Sequence, residues 1–180
     1  MRFIFLFLFD LFGWKIIGSK PDLKKYMIIV APHTSNMDFF VGVAARSISR
    51  IRSAYLAKKS LFNIPLVGRL LRAMGGYPVD RSKRTNMVDQ VVELYNGHEK
   101  FVMTITPEGT RSYNANWKTG FYRIAYNARV PIVMVAFDYE RKIVQFREPF
   151  YPTGNLENDL EFIKAYYRNF KGKNPENGVR

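Results

Sequence analysis

The chain has 180 residues, 47% of them apolar, a length that suits one domain with one buried core. It contains no cysteine and two histidines, which excludes disulfides, thiolate nucleophiles and cysteine metal sites and leaves too few ligands for most zinc centres. A net charge of +13, from 28 lysines and arginines against 15 aspartates and glutamates, indicates an anionic partner: phospholipid, an acidic carrier protein, a phosphorylated substrate or nucleic acid.

The N-terminal segment is apolar at residues 3–9, and further apolar residues follow as far as Ile17. As a helix, about fifteen residues reach only ~22 Å, which is less than the ~30 Å hydrocarbon core of a bilayer. We therefore predict that residues 1–18 form an interfacial membrane anchor, with Trp14 and Lys15 at the level of the head groups. A signal peptide and a buried core helix are the alternatives.

Short apolar runs alternate with helical periodicity beyond Pro21. The strands predicted from the apolar runs are residues 27–31, 54–57, 77–79, 101–105, 132–137 and 143–146. The helices predicted from the periodicity are residues 37–49, 86–96, 121–128 and 156–170. This alternation predicts an α/β fold in which helices flank both faces of a mostly parallel central sheet. Residues 19–170 are predicted to form its single domain, and residues 171–180 a loose basic tail.

A basic stretch occupies residues 46–84, where ten lysines and arginines are opposed by one acidic residue, Asp80. Apolar residues are interleaved with the basic ones throughout this stretch. Such a pattern is typical of a segment that lies on an anionic membrane surface. A solvated basic face beside the core is the alternative.

His33 and Asp38 follow the first buried strand, in the sequence PHTSNMD. On one continuous helix, residues five apart point about 140° away from each other, so this pair needs a turn. Pro32 ends regular strand pairing, and Ser35 can cap a helix whose first turn contains Asp38. His33 would then lie at the carboxyl end of a strand, where α/β sheets usually place ligands.

Such a pair can perform general base chemistry. Asp38 can accept a hydrogen bond from one ring nitrogen of His33, which leaves the other nitrogen free to take a proton from a substrate hydroxyl. The sequence has neither a Gly-x-Ser-x-Gly elbow nor a cysteine, so direct attack by a bound hydroxyl is favoured over an acyl-enzyme. The alternative for Asp38 is a capping box with Ser35, in which the carboxylate only satisfies a helix N-terminus.

Two later motifs can hold an anion. Residues 104–112, TITPEGTRS, follow a predicted strand and should share the sheet edge with His33, and Glu108 and Arg111 offer opposite charges beside the turn that Gly109 permits. In residues 75–81, GGYPVDR, Arg81 is suited to bidentate phosphate binding. A surface turn with an ion pair is the alternative for the first motif. The second histidine, His98, is predicted to be solvated surface.

The order H-x4-D, G-x-x-x-D-R, P-E-G-T-R-S and V-P-I resembles the glycerolipid acyltransferase family that includes the 1-acylglycerol-3-phosphate acyltransferases. The resemblance spans about residues 27–137. The chain departs from the usual motifs at three positions, where it has Pro32 before the histidine, Thr106 before the third motif and Met134 in the fourth. These departures bear on the identity of the acceptor more than on the reaction.

The resemblance implies a reaction, a location and a set of site residues. A fatty acyl group would move from acyl-CoA or acyl carrier protein to the hydroxyl of 1-acylglycerol-3-phosphate (lysophosphatidate), at the cytoplasmic face of the cell membrane. The protein would be peripheral or monotopic there. No metal or further cofactor is expected. His33 would be the general base and Asp38 its orienting partner. The acceptor site would comprise Arg81, Glu108, Gly109, Thr110 and Arg111, with both arginines on the phosphate.

Other functions stay open at this stage. The same chemistry could acylate another lysolipid, such as a lyso-ornithine lipid or aminolipid. His33 could instead activate water, which would make the protein a thioester hydrolase. A non-catalytic basic protein that binds membranes or RNA is the third alternative, but the sequence contains neither an RNP motif nor a zinc finger, so a nucleic-acid partner is not expected.

Overall fold

A central β-sheet with helices on both faces forms the body of the computed structural model, which describes residues 2–73, 75–79 and 87–180. The strands in these residues are β1 (Lys15–Ile17), β2 (Lys25–Ala31), β3 (Ser53–Lys58), β4 (Gly76–Val79), β5 (Phe101–Ile105), β6 (Ile132–Asp138) and β7 (Ile143–Phe146). The helices are α1 (Arg2–Leu11), α2 (Met37–Ile48), α3 (Pro65–Ala73), α4 (Met87–Gly97), α5 (Gly120–Asn127) and α6 (Leu156–Tyr167). Short 3₁₀ turns lie at Lys59–Asn63 and Pro175–Asn177.

The seven strands have the spatial order β1-β7-β6-β2-β5-β3-β4. From β6 to β4 all neighbouring strands are parallel, whereas β7 is antiparallel to β6 and β1 is parallel to β7. The sheet is therefore mostly parallel, and the predicted α/β class is confirmed. Because β2 lies between β6 and β5, the loops that follow these three strands leave the sheet side by side.

The central strand β2 distributes its side chains to two cores, because successive side chains of a strand point to opposite faces. Met27 and Ile29 join the core formed with α4, α5 and α6. Ile28 and Val30 join the core formed with α1 and α2. Six of the seven residues of β2 are buried, and this explains why its sequence is continuously apolar rather than alternating.

Two elements were not predicted from the sequence. β1 lies within the segment predicted to be anchor, but it pairs with β7 along its whole length of three residues, so the predicted boundary after residue 18 falls beyond the first strand of the sheet. α3 lies in the basic stretch, for which no helix was predicted. Pro65 occupies the first position of this helix, where its missing N–H costs nothing.

The prediction that residues 171–180 form a loose tail is wrong. Asn174 donates two hydrogen bonds to Thr34, from its backbone N–H to Oγ1 (3.1 Å) and from Nδ2 to the carbonyl oxygen (2.8 Å). Gly172 packs so closely that a Cβ at this position would lie 2.5 Å from Thr34 Oγ1. In the sequence, polar side chains and a glycine indicated disorder. In the structure, they allow this segment to pack closely against the His33 loop.

The N-terminal helix α1 packs antiparallel to α2. The Arg2 Nε atom donates to the carbonyl oxygen of Ile48 at the far end of α2 (3.1 Å), and Phe9 is buried in the core beneath. The outer face of α1 exposes the large apolar side chains Phe3, Ile4, Phe7 and Leu11. Of the helices in the described residues, none is long and apolar enough to cross a membrane.

Candidate active site

Three neighbouring parallel strands supply the candidate site at the carboxyl edge of the sheet. β2 leads into the loop that carries His33, β5 leads into the loop that carries Glu108, and Tyr139 follows β6 directly. The crevice beyond the carboxyl ends of the strands is the usual ligand position in such sheets. The sequence expectation that the loops after β2 and β5 share one sheet edge is thus confirmed.

The Asp38 carboxylate organises the loop between β2 and α2. Its Oδ2 atom accepts hydrogen bonds from the ring Nδ1 of His33 (3.0 Å) and from the backbone N–H groups of Thr34 (2.8 Å) and Ser35 (2.9 Å). Its Oδ1 atom accepts from the hydroxyl of Tyr139 (2.7 Å). Asp38 therefore contacts the ring of His33 and also satisfies two backbone N–H groups just before α2, so its contacts combine features of both interpretations.

These donors keep Asp38 ionised although only 3% of the residue is exposed. Burial by itself would raise the pKa of this carboxyl, but the hydrogen bonds from His33, Tyr139 and the Ser35 backbone outweigh it and leave the pKa below its ordinary value. An ionised carboxylate can only accept hydrogen bonds, so the proton of the neutral imidazole must lie on Nδ1. The Nε2 atom of His33 is then left with a lone pair, as a general base requires.

Glu108 lies beneath the His33 loop rather than at the surface. Its Oε2 atom accepts the backbone N–H of His33 (2.6 Å), and only 4% of the residue is exposed. The Asn114 side chain donates to the backbone carbonyl of Glu108 (2.8 Å). Burial raises the pKa of Glu108 to about 7, and the nearby Asp38 charge adds to this, against the opposing effect of His33. The alternative for this motif, a surface turn with a Glu108–Arg111 ion pair, therefore does not describe Glu108, whose carboxyl group is buried and accepts the backbone N–H of His33.

The rest of the loop after β5 is exposed. Gly109, Thr110 and Arg111 all face solvent, and Gly109 has a positive φ of 69°. A Cβ at Gly109 would lie 2.9 Å from Cε of Lys118. The aliphatic part of the Lys118 side chain therefore passes over the turn at Gly109, where there is no side chain to block it. Lys118 thus joins Arg111 as a cation at this loop. Among the other candidates, Arg81 lies outside the described residues.

Sequence reasoning missed two further residues that contact the His33 loop. Tyr139 reaches Asp38 across 101 positions of sequence, and Asn174 reaches Thr34 across 140. The available signal for Tyr139 was its place just after a buried strand that neighbours β2. No comparable signal pointed to Asn174. In the part of the chain that the structure describes, no three histidine, aspartate or glutamate side chains form a cluster that could hold a metal ion.

Comparison with known proteins points to one family. A family model described as Acyltransferase matches residues 17–138, which include the His33 loop and the loop after β5. The 1-acyl-sn-glycerol-3-phosphate acyltransferase of Escherichia coli (strain K12) is 36% identical over 69% of this chain and 53% of its own length. The protein of the same name from Saccharomyces cerevisiae is 34% identical over 67% of this chain and 41% of its own length. The chain thus spans about half the length of these relatives.

A solved structure shares the fold. The crystal structure of the 1-acyl-sn-glycerophosphate (LPA) acyltransferase PlsC from Thermotoga maritima aligns with a TM-score of 0.65 and 21% sequence identity. The alignment covers 92% of this chain and 74% of that one. At this level of identity the comparison establishes the architecture of the sheet and its helices.

The buried carboxyl of Glu108 predicts a pH dependence of stability. Its folded-state pKa of about 7 lies above its ordinary value of 4.5, so the folded state holds a proton that the unfolded state releases. The free energy of unfolding should therefore fall as the pH rises from about 4.5 to about 7, by an order of about 3 kcal/mol in total. Glu108→Gln removes this titration and should flatten the dependence, measured by urea unfolding at pH 5 and pH 8.

The matched control is Glu157→Gln, which alters an exposed glutamate in the first turn of α6. This variant should keep the dependence of the parent protein. An unchanged difference between pH 5 and pH 8 in Glu108→Gln would show that Glu108 does not titrate in this range.

Proposed function

Because the chain belongs to the acyltransferase family, we propose that it transfers a fatty acyl group from acyl-CoA or acyl carrier protein to the free hydroxyl of 1-acylglycerol-3-phosphate. The product would be phosphatidate, and the pathway phospholipid synthesis. The observation that carries the proposal is the 3.0 Å contact between His33 Nδ1 and Asp38 Oδ2 at the carboxyl end of β2. The names of the relatives support the choice of acceptor.

The proposed reaction has one nucleophile and one base. The acceptor hydroxyl gives its proton to His33 Nε2 while its oxygen attacks the thioester carbonyl. The tetrahedral intermediate then collapses, the carbon–sulfur bond breaks, and the leaving thiolate takes the proton back from His33. Since a thioester is already activated, the protein must mainly align two amphiphiles and remove one proton. Orientation can supply ~7 kcal/mol or more, and a positioned base a further ~10²–10⁴-fold.

We assign the acceptor phosphate to the exposed loop after β5. Arg111 offers a guanidinium, and it lies with Gly109 and Thr110 in the exposed turn that follows Glu108, whose carboxyl group contacts the His33 backbone. Lys118 adds a second cation across the turn. Arg81 keeps its proposed role as a further phosphate ligand on the strength of the motif. Glu108 is proposed to act through His33, whose backbone it holds, rather than by touching the acceptor.

We also propose that the protein binds an anionic membrane surface through α1 and the start of α2. The exposed apolar residues of these two elements include Phe3, Ile4, Phe7, Leu11, Met37, Phe39 and Phe40, and Phe12 directly after α1 is exposed as well. Phe39 and Phe40 follow Asp38 directly, so a membrane on this face would present lipids beside the base. The charge of +13 complements anionic head groups and an acidic acyl carrier protein. Since acyl-CoA and acyl carrier protein are cytoplasmic donors, the proposed location is the cytoplasmic face of the membrane.

Product identification tests the reaction. Purified protein would be given acyl-CoA or acyl carrier protein thioester with lysophosphatidate, a lyso-ornithine lipid, a lyso-aminolipid or no acceptor, and the products detected by mass spectrometry. Phosphatidate should form, and only when lysophosphatidate is present. Acylation of another lysolipid alone would overturn the choice of acceptor, and free fatty acid without acceptor would identify a thioester hydrolase.

Two variants extend the same assay. His33→Gln should lower kcat by about 10²–10⁴-fold with an unchanged circular dichroism spectrum, because it removes the base and keeps a side chain of similar size.

Arg111→Ala should raise KM for lysophosphatidate with little change in kcat. Its control is Arg123→Ala, which alters an exposed arginine on α5. Equal effects of the two arginine variants would argue against a phosphate ligand at Arg111.

Vesicle binding tests the membrane face. Phe3→Ser combined with Phe7→Ser should weaken binding to phosphatidylcholine vesicles that contain phosphatidylglycerol by at least about tenfold, because burial of each phenylalanine is worth ~1.5 kcal/mol or more. The control is Leu66→Ser with Leu70→Ser on α3, two residues that are 80% and 58% exposed. Loss of binding in the control pair alone would place the membrane surface on the basic stretch.

A further inference from the structure

Tyr139 touches the His33–Asp38 pair from the third strand of the site. It follows β6 directly, and its backbone N–H donates to the carbonyl oxygen of Lys171 (2.8 Å). Its hydroxyl lies 2.7 Å from Asp38 Oδ1. The tyrosine is thus tied to the C-terminal segment by its backbone and to the carboxylate by its side chain.

The Tyr139 hydroxyl donates to the Asp38 carboxylate oxygen that does not face His33. The three hydrogen bonds from His33, Thr34 and Ser35 all reach Oδ2, and Oδ1 accepts from Tyr139. Burial, and then the bond to Asp38, raises the pKa of Tyr139 above its ordinary value, so the hydroxyl keeps its proton and acts as a donor. With a donor on each oxygen, rotation of the carboxylate would break good hydrogen bonds on both sides.

The ring of Tyr139 is held in turn by the end of the N-terminal segment. Trp14 contacts it edge-on, with ring centroids 5.0 Å apart and planes at 90°. Trp14 also packs against Phe9 of α1, with centroids 6.0 Å apart. Edge-to-face pairs of this kind are favoured by the charge distribution of aromatic rings. A continuous path of contacts therefore runs from α1 through Trp14 and Tyr139 to Asp38.

We propose that Tyr139 is a positioning residue of the His33–Asp38 pair, in which its hydroxyl fixes the rotation of the Asp38 carboxylate and Trp14 fixes the phenol. Asp38 then presents Oδ2 to His33 Nδ1 and selects the tautomer with a free Nε2. The N-terminal segment thus contributes to the order of the active site as well as to the apolar face of α1. The kinetic part of this inference rests on the proposed function.

Tyr139→Phe tests the hydroxyl alone, because the ring that contacts Trp14 is retained. The matched control is Tyr122→Phe, since the Tyr122 hydroxyl donates over the same distance of 2.7 Å to Asp159, another buried carboxylate. We expect Tyr139→Phe to lower kcat about tenfold, a part of what a positioned base supplies, with KM for lysophosphatidate unchanged. Tyr122→Phe should leave kcat within twofold of the parent protein.

The tautomer of His33 gives a second readout that requires no turnover. The chain has two histidines, so ¹⁵N-histidine labelling yields two ring systems, and exposed His98 is the internal reference. In the parent protein the His33 nitrogens should give separate signals for a protonated Nδ1 and an unprotonated Nε2. In Tyr139→Phe these signals should move towards each other as the two tautomers mix, and the signals of His98 should not move.

The outcomes separate this inference from the proposed function. Unchanged His33 signals together with an unchanged kcat in Tyr139→Phe would overturn the positioning role, as would an equal loss of kcat in Tyr122→Phe. A rise in KM in place of the fall in kcat would also overturn it, because Tyr139 would then act on acceptor binding. If the parent protein acylates no lysolipid, the proposed function fails, and the His33 signals alone decide the role of Tyr139.

Discussion

The buried carboxylate of Asp38 is the interaction on which the site depends. An ionised group with 3% exposure persists only where hydrogen bonds replace the water that it has lost. Here the donors come from the turn after β2, from the ring of His33 and from Tyr139 after β6. The same requirement therefore closes the turn, starts α2 and fixes the proton of His33. Two residues five positions apart are brought into contact because one carboxylate must satisfy several donors at once.

A second carboxyl group, that of Glu108, also constrains His33. Glu108 accepts the backbone N–H of His33, whereas Asp38 accepts the ring N–H, so both the main chain and the side chain are constrained. The two acids differ in their environment. Asp38 has several donors and a lowered pKa, while burial dominates at Glu108 and raises its pKa to about 7. Their proximity adds to this separation, because the charge of Asp38 raises the pKa of Glu108 further.

Periodicity and motif order predicted the sheet, the helices on both of its faces and the His33–Asp38 contact, because these follow from patterns that are local in sequence. The family resemblance read from four motifs is confirmed by the match over residues 17–138. The contacts of Tyr139 and Asn174 could not be predicted, since they join residues more than 100 positions apart and depend on which strands become neighbours. The burial of Glu108 was not predicted for a related reason. In the sequence it is a charged residue at a turn, and only the packing of the structure shows that it is buried.

The most direct test of this account is the kcat of Asp38→Asn, with lysophosphatidate as acceptor and an acyl thioester as donor. Asparagine has almost the same size, and the Tyr139 hydroxyl can turn to accept from its amide NH₂. It lacks the negative charge, however, so the imidazolium that forms when His33 takes the proton loses its carboxylate partner. We expect kcat to fall by about 10²-fold or more with a nearly unchanged KM. A kcat within a few-fold of the parent protein would show that His33 does not need this carboxylate and would contradict the central role given to Asp38.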